Sequence, residues 1–357
     1  MNALTIAPML RGLTHNGQTG AIVHTVETLK TPDLLCQVDE LETAFKPTHR
    51  SVTIEGVGHF KLGRDYDDAV NGTDHAPTAT GRNAVVTNRV CVVTGGAQGF
   101  GEGLVRGLAE QGALVFIADL NLNGATELAN QLNQQAKRTC AFPIQCNVTD
   151  ESSVQSMIEQ IVTQVGGIDI FISNAGILKA GSVKSLSKQD FEQVTQVNYL
   201  GFFLCTKHVA PVMELMNQPT NQYLTDIISI TSKSALEGSN RNSAYAGSKF
   251  GSVGLVQSFA KELITDNTKV NTVCPGNFFD GPLWSNPETG LFVQYLNSGK
   301  VPGAETIDDI RRHYEAQIPM QRGCTSQDVL TAILYLIEQP YETGQALPVT
   351  GGQIMLH

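Results

Sequence analysis

From about residue 86 onward the chain alternates between short apolar runs and longer segments whose apolar residues recur at helical spacing. The runs are rich in Val, Ile and Phe and end at turn residues, which is typical of buried strands. They are RVCVVTG, ALVFIADL, CAFPIQCNV, IDIFISNAG, TDIISITS and KVNTVCPG. Strands separated by helices form right-handed crossovers, so residues 86–357 are predicted to form an α/β domain with a doubly wound parallel sheet.

Residues 1–85 lack this alternation and are predicted to be an N-terminal extension of unknown role. The segment SVTIEGVGHF alternates like a strand, and helical periodicity is weak and confined to residues 33–45. Turn-prone clusters such as THNGQTG and NGTDHAPTATGRN interrupt the rest. We interpret the segment as a subunit-binding extension or a remnant of a fused partner.

Composition limits the possible classes of function. Apolar residues make up 41% of the 357 positions and charged residues 16%, which is typical of a globular chain. The net charge of −10 disfavours nucleic acid and anionic membranes as partners, so an anionic substrate requires a local basic cluster. No apolar run is long enough to span a membrane, and we expect a cytoplasmic protein. The seven scattered cysteines predict reduced, mostly buried thiols, and we expect no metal site.

The first predicted strand ends in a glycine-rich turn, Thr94-Gly-Gly-Ala-Gln-Gly-Phe-Gly101, which leads into the helical stretch EGLVRGLAEQG. In such a turn Gly95 permits a tight bend, Gly99 lets the backbone approach a pyrophosphate, and Gly101 lets the helix pack close to the strand. The free N–H groups of the helix then face the phosphates. This arrangement predicts a Rossmann-like dinucleotide site.

The next strand indicates which dinucleotide is bound. It ends in Asp119, where a carboxylate accepts hydrogen bonds from ribose hydroxyls and repels a 2′-phosphate. Gln98 is neutral at a position where a basic residue would attract that phosphate, so NAD is predicted in preference to NADP. Arg106, farther along the helix, is the one residue that weakens this prediction.

Several motifs in a fixed order resemble the short-chain dehydrogenase/reductase family. They are T-G-x-x-x-G-x-G from Thr94, Asn174-Ala175-Gly176 after the fourth strand, Asn198 in QVNYLG, Ser232 in ISITSKS, Tyr245 and Lys249 in YAGSK, and Pro275-Gly276 after the sixth strand. The resemblance spans residues 86–357. It implies a nicotinamide cofactor, Asn198, Ser232, Tyr245 and Lys249 as catalytic residues, and a homotetramer or homodimer built through the long helices near Asn198 and after Tyr245.

The chemistry of the Tyr/Lys pair follows from its spacing. Tyr245 and Lys249 are four residues apart on a predicted helix, so their side chains share a face. A nearby ammonium favours the phenolate, which predicts that Lys249 lowers the pKa of Tyr245, the general acid/base. Ser232 follows a strand at the carboxyl edge and is expected to hold the reacting oxygen. By resemblance, Lys249 also binds the nicotinamide ribose, and Asn198 anchors a water in a proton relay.

The predicted cofactor contacts extend over several loops. They are Gly95, Gln98, Gly99, Phe100, Gly101, Asp119, Leu120, Asn147, Val148, Asn174, Ala175, Gly176, Tyr245, Lys249, Pro275, Gly276 and Phe278. Four positions depart from the family pattern. Phe100 replaces a smaller aliphatic residue between two glycines, Asn147 replaces a common aspartate near the adenine, Ser173 replaces an asparagine, and Asp280 stands where a threonine often contacts the carboxamide.

Within the family, the run SKSALEGSNRNSAYAGSKFGSVGLVQS and the closing TGQALPVTGGQIM resemble polyol-phosphate dehydrogenases of the type that acts on sorbitol 6-phosphate. This implies a sugar alcohol or its phosphate as substrate. The candidate substrate-binding residues are Lys179, Lys233, Arg241, Asn242 and Asn277.

Residues 281–325 form a long insertion before the last predicted helix. Its aromatic residues Trp284, Phe292 and Tyr295 suit a lid over the substrate, and the alternative is a packing or subunit-contact element. Two other functions stay open: a dehydrogenase of an unphosphorylated polyol, sugar or secondary alcohol, and a nucleotide-binding sensor without turnover.

Overall fold

The computed structural model describes residues 1–79, 81–220, 222–288, 290–297, 299 and 301–355. The helices are α1 (Ala3–Leu13), α2 (Leu41–Ala44), α3 (Tyr66–Asn71), α4 (Gly99–Glu110), α5 (Leu122–Ala136), α6 (Glu151–Val165), α7 (Lys188–Thr195), α8 (Gly201–Asn217), α9 (Ser243–Leu263), α10 (Pro282–Ser285), α11 (Leu291–Asn297), α12 (Ile307–Ala316) and α13 (Ser326–Glu338). The strands are β1 (Ile22–Val26), β2 (Leu34–Cys36), β3 (Ser51–Ile54), β4 (Gly58–Gly63), β5 (Val90–Thr94), β6 (Leu114–Asp119), β7 (Ala141–Gln145), β8 (Ile170–Ser173), β9 (Thr225–Ile230), β10 (Thr268–Pro275) and β11 (Ala346–Val349).

The larger sheet has seven parallel strands in the order β11-β10-β9-β8-β5-β6-β7. Six of its strands, β5 to β10, form where the apolar runs predicted strands. The doubly wound Rossmann-like fold is confirmed. The strand β11 was not predicted. It is a half-buried edge strand of four residues that contains Pro348, so it lacks the continuous apolar run of a central strand.

Residues before the large sheet form a second sheet in the order β1-β4-β3-β2. The strand-like segment SVTIEGVGHF forms β3 and the start of β4, as predicted. The absence of helical periodicity before residue 33 was misleading, because α1 occupies Ala3–Leu13. Every residue from Ile6 to Gly12 is buried, and a helix buried on all sides shows no amphipathic pattern.

The N-terminal extension packs directly on the large domain. α1 lies against α8 so closely that a Cβ built on Gly12 would stand 2.1 Å from the carbonyl oxygen of Met216. Arg11 of α1 is fully buried and forms a 2.5 Å ion pair with Asp169, next to the start of β8. The side chain of Tyr223 also donates to Asp169. The extension and the large domain therefore share one continuous core.

All seven cysteines are unpaired and buried, as predicted. Within the described ranges, no helix combines the length and the apolar composition that crossing a membrane requires.

Candidate active site

The turn between β5 and α4 has the geometry that its glycines predict. Gly95 and Gly99 both have a φ of 61°, in the left-handed region that favours glycine. A Cβ on Gly101 would lie 2.0 Å from the carbonyl oxygen of Gly95, so only glycine allows α4 to pack this close. Gln98 is the N-cap of α4, and its side chain makes no capping hydrogen bond. The first N–H groups of α4 thus remain available, which fits the phosphates of a dinucleotide.

The Asn174-Ala175-Gly176 segment is joined to this turn by hydrogen bonds. The Nδ2 of Asn174 donates to the carbonyl oxygens of Thr94 and Gly95 at 3.0 Å each. The backbone N–H groups of Asn174 and Ala175 donate to Oγ1 of Thr94, at 3.0 and 3.1 Å. Asn174 therefore supports the turn with its side chain. Thr94, which was not among the predicted site residues, connects β5 to the end of β8.

Ser232, Tyr245 and Lys249 meet at the carboxyl end of β9. Ser232 follows β9 and caps the short 3-10 helix Lys233–Ala235, accepting from the backbone N–H of Ser234 at 3.1 Å. Tyr245 and Lys249 lie one turn apart on α9, as the spacing predicted, with Nζ of Lys249 5.8 Å from the centre of the Tyr245 ring. Nζ also donates to the carbonyl oxygen of Ile230 at 2.8 Å.

Burial shifts the pKa values of both Tyr245 and Lys249. Burial raises the pKa of Tyr245, and a hydrogen bond with Ser232 acts in the opposite direction. Burial lowers the pKa of Lys249 to about 8. The direction for Tyr245 is opposite to the expected lowering of its pKa, because desolvation of the phenol is the largest influence on it.

Asn198 lies in a π-helical turn, Gln196–Leu200, between α7 and α8. Its side chain accepts from the N–H of Ile177 at 2.8 Å and donates to the Ile177 carbonyl oxygen at 2.9 Å and to Ser248 Oγ at 3.1 Å. A Cβ on Gly176 would lie 3.4 Å from Oδ1 of Asn198 and 3.5 Å from Nζ of Lys249. Asn198 thus fixes the backbone beside Lys249.

Ser232, Tyr245 and Lys249 line one cleft of about 870 Å³ together with the glycine turn and the Asn174-Ala175-Gly176 segment. Of the predicted site residues, the cleft collects Gly95, Gln98, Gly99, Phe100, Asn174, Ala175, Gly176, Lys179, Ser232, Lys233, Asn242, Tyr245, Lys249, Pro275, Gly276, Asn277 and Phe278. The ring of Phe278 stacks on that of Phe100 with centroids 4.3 Å apart, which ties the loop after β10 to the start of α4. Asn198 and Gly101 stand directly behind this lining.

The cleft contrasts in charge with the rest of the chain. Three lysines line it, Lys179, Lys233 and Lys249, and none of its described lining residues is an aspartate or glutamate. Lys233 is half-buried, and desolvation lowers its pKa. Lys179 is more exposed, and its Nζ lies 3.8 Å from Asp190. In a chain of net charge −10 this cleft is the local basic cluster that an anionic ligand requires.

The remaining predicted residues lie outside the cleft. Arg241 is exposed and has a φ of 62°, and its carbonyl oxygen accepts from Gly181. It does not line the cleft, although its neighbours Asn240 and Asn242 do. The other four, Asp119, Leu120, Asn147 and Val148, lie at the ends of β6 and β7 along the same sheet edge.

The carboxylate of Asp119 lies beside the glycine turn, because it accepts from the N–H of Ala97 at 3.0 Å. Oδ1 of Asn147 is engaged locally and accepts from Thr149 N–H and Oγ1 at 3.1 and 2.8 Å. Only the Asn147 amino group is then available as a donor to a base. Leu120 is largely exposed, and Val148 is buried.

The insertion after β10 covers the cleft with its own small core. Trp284 is 7% exposed and packs against Phe279, Phe292 and Tyr314. Trp284 and Tyr295 line the cleft, whereas Phe292 lies in the small core. Asp280 pairs with Arg311 of α12 at 2.9 Å and does not line the cleft.

Several lining residues were missed by the sequence analysis. Gln193 of α7, Tyr314 and Gln317 of the insertion, and Gln353 near the C-terminus all face the cleft. They lie in different segments and belong to no motif, so no sequence signal identified them.

The sequence profile described as short chain dehydrogenase matches residues 89–285. The chain belongs to the short-chain dehydrogenase family. Members of this family are oxidoreductases that act on CH–OH groups and use nicotinamide cofactors. The glycine turn, the Tyr245/Lys249 pair and the sheet order are the structural counterparts of that match.

Two of the similar proteins are both named sorbitol-6-phosphate 2-dehydrogenase. Sorbitol-6-phosphate 2-dehydrogenase of Escherichia coli (strain K12) is 34% identical over 271 residues, covering 75% of this chain and 99% of that protein. The crystal structure of sorbitol-6-phosphate 2-dehydrogenase SrlD from Erwinia amylovora has a TM-score of 0.68 at 34% identity, over 74% of this chain and 100% of that one.

A 3-oxoacyl-[acyl-carrier-protein] reductase of Thermotoga maritima is 28% identical over 269 residues, covering 75% of this chain and 98% of its own. Family membership therefore leaves the substrate open.

Proposed function

We propose that this protein is an NAD-dependent dehydrogenase that interconverts a polyol phosphate resembling sorbitol 6-phosphate and the matching 2-ketose phosphate. The observation that carries this proposal is the lysine-lined cleft, in which no described residue is acidic, beside Tyr245 and Ser232. The 34% identity to a sorbitol-6-phosphate 2-dehydrogenase over nearly its whole length supports the same substrate class.

The proposed roles follow from the positions of the side chains. The free N–H groups at the start of α4 would hold the pyrophosphate, and Asp119 would accept from the adenosine ribose. A bound nicotinamide supplies the hydride acceptor or donor. Ser232 holds the substrate oxygen. In reduction the Tyr245 hydroxyl gives its proton to that oxygen and becomes a phenolate, and in oxidation the phenolate takes the proton of the substrate hydroxyl. Lys249 stabilises the phenolate, and Asn198 keeps the backbone beside Lys249 in place.

The proposed preference for NAD rests on the carboxylate of Asp119 and on the hydrogen bonds that already occupy the guanidinium of Arg106. The guanidinium of Arg106 donates to Glu102 at 2.9 Å and to Gln131 at 3.0 Å, on the outer side of α4 and α5. It is therefore not positioned as a free cation for a 2′-phosphate. The carboxylate of Asp119 uses one acceptor site for Ala97 and one for Asn121, and its remaining lone pairs can accept from ribose hydroxyls.

The phosphate of the substrate is assigned to Lys233 and Lys179. Lys233 adjoins Ser232, and its half-buried ammonium gains from an anionic partner because desolvation disfavours its charge. Asn242 and Asn277 add polar groups to the same wall.

The decisive assay compares kcat/KM for sorbitol 6-phosphate and sorbitol, each with NAD and NADP. We expect a strong preference for the phosphorylated substrate with NAD. Equal values for the two polyols would refute the phosphate assignment and favour a dehydrogenase of unphosphorylated polyols or secondary alcohols. Turnover of none of them, with NADH still bound, would favour a sensor.

We also propose a homodimer or homotetramer formed through α8 and α9. Phe203 on α8 and Phe250 on α9 are 39% and 45% exposed, and burying their apolar surface between subunits would favour association. Light scattering coupled to size exclusion tests this, and a monomer at micromolar concentration would refute it.

A further inference from the structure

Two buried oxygen atoms in the walls of the active-site cleft have no hydrogen-bond partner among the described residues. They are Oδ1 of Asn242, just before α9, and Oε1 of Gln353, in the C-terminal segment. Buried polar atoms are nearly always paired in folded proteins, so two unpaired acceptors in one cleft need an explanation.

The surroundings of each amide leave the oxygen available. The Nδ2 of Asn242 donates to Ser239 Oγ at 3.0 Å, which orients the side chain. The backbone N–H of Gln353 donates to the carbonyl oxygen of Thr350, in a turn that Thr350 also closes by accepting from the N–H of Ile354 at 3.2 Å. A side-chain hydrogen bond thus holds the Asn242 amide, and a turn holds the backbone of Gln353. Neither side-chain oxygen has a partner among the described residues.

Acceptors and donors in the cleft are suited to different parts of one substrate. The ammonium groups of Lys179 and Lys233 are donors and match phosphate oxygens, which only accept. The oxygens of Asn242 and Gln353 are acceptors and match hydroxyl groups, which can donate. We infer that Asn242 and Gln353 recognise the hydroxyl groups of a polyhydroxylated substrate and thereby exclude ketones whose chains lack them.

The exclusion has a physical basis. A substrate without hydroxyl donors leaves these acceptors unpaired, whereas a polyol pairs them. Sites built to hydrogen-bond a substrate hydroxyl therefore reject analogues that lack it far more strongly than apolar pockets reject an extra group. This distinguishes a polyol phosphate from a 3-oxoacyl chain, the substrate type named for the 28% identical Thermotoga protein. The inference rests on the proposed function.

Gln353 provides the cleaner test, because it lies far along the chain from the Tyr245 helix. Gln353→Met removes the acceptor with little change in volume, and Gln353→Glu keeps an acceptor at the same place. Gln327→Met on α13 is the control, since Gln327 is exposed and outside the cleft. Asn242→Asp and Asn242→Leu repeat the comparison at the second position.

We expect Gln353→Met to lower kcat/KM for sorbitol 6-phosphate about 10- to 100-fold, the effect of one lost hydrogen bond to a buried group, chiefly through KM. Gln353→Glu should retain more activity than Gln353→Met. Reduction of an acetoacetyl thioester, which has no hydroxyl groups, should be unchanged or faster in Gln353→Met. Calorimetric titration of sorbitol 6-phosphate onto the protein with NADH should show the same loss of affinity.

Equal losses on both substrates, or no loss on sorbitol 6-phosphate, would overturn the inference while leaving the proposed function intact. If the unchanged protein does not act on sorbitol 6-phosphate, the proposed function fails. The same Gln353 comparison, made on the polyol that is turned over, then still decides whether hydroxyl recognition is correct.

Discussion

The buried ion pair between Arg11 and Asp169 offers a direct test of how the N-terminal extension contributes to stability. Both side chains are fully buried. The Asp169 carboxylate accepts from Arg11 at 2.5 Å, from the N–H of Val90 at 2.6 Å and from the hydroxyl of Tyr223. Arg11 also donates to the carbonyl oxygen of Ala21 at 2.6 Å, so it joins α1, β1 and the large sheet.

Replacing Arg11 by Met leaves a desolvated carboxylate without its cation. Removing one partner of a buried pair costs about 3–5 kcal/mol of unfolding free energy. With an unfolding entropy of roughly 2.1 cal/mol/K per residue over a chain of 357, about 0.75 kcal/mol/K in all, this corresponds to a fall in Tm of about 4–7 °C.

The assay is thermal and urea unfolding followed by circular dichroism, with Arg312→Met as control. Arg312 is 73% exposed, so its replacement should change stability by no more than about 0.5 kcal/mol. The double variant Arg11→Met/Asp169→Asn removes the uncompensated charge. Its amide oxygen can accept from the N–H of Val90, and its amide nitrogen can donate to the hydroxyl oxygen of Tyr223. It should be more stable than Arg11→Met alone. A loss below about 1 kcal/mol for Arg11→Met, or no recovery in the double variant, would refute this reasoning.

Three further predictions concern the active site. Tyr245→Phe should lower kcat about 10²- to 10⁴-fold with the affinity for NADH unchanged, and Tyr341→Phe, 97% exposed, should have no effect; substantial residual turnover would contradict the acid/base role. Asp119→Asn keeps an acceptor for the Ala97 amide but removes the charge, so the ratio of kcat/KM for NADP to that for NAD should rise about ten-fold or more; an unchanged ratio would show that Asp119 does not select the cofactor. Gly101→Ala places a Cβ 2.0 Å from the carbonyl oxygen of Gly95, so it should lower the free energy of unfolding by about 1–3 kcal/mol and weaken NADH binding. Fluorescence titration measures the NADH affinity, and a normal affinity would contradict the close-approach argument.

Local sequence patterns identified the elements whose burial is uniform. The central strands β5, β6, β8, β9 and β10 are buried along nearly their whole length, so each appears as a continuous apolar run. α1 and β11 did not show such a signal, because α1 is buried on every face and β11 is a half-buried edge. A short continuous apolar run thus identifies a strand that is buried on both faces, whereas a helix without an exposed face and a half-buried edge strand lack a comparable signal.

Some parts of the candidate site could likewise be predicted from local sequence, and other parts could not. The glycine turn and the Tyr245/Lys249 pair are each contained in a few consecutive residues, and their spacing already dictates which groups face one another. However, Arg241 is exposed and adopts a left-handed backbone conformation that its place in the sequence did not indicate. Gln353, in contrast, enters the cleft only because the C-terminal segment folds back beneath the insertion, where Gly351 and Gly352 meet Ile318 and Pro319.

The sequence by itself determined the Rossmann-like fold, the turn at Gly95–Gly101 and the order of the candidate catalytic residues, because these depend on short apolar runs and on contacts within a turn or two of chain. Only the tertiary structure decided which lysines share a cleft whose described lining residues include no aspartate or glutamate, which amide oxygens remain unpaired, and that Arg11 meets Asp169 across 158 positions. Long-range contacts depend on how whole elements pack, and no local pattern records that packing.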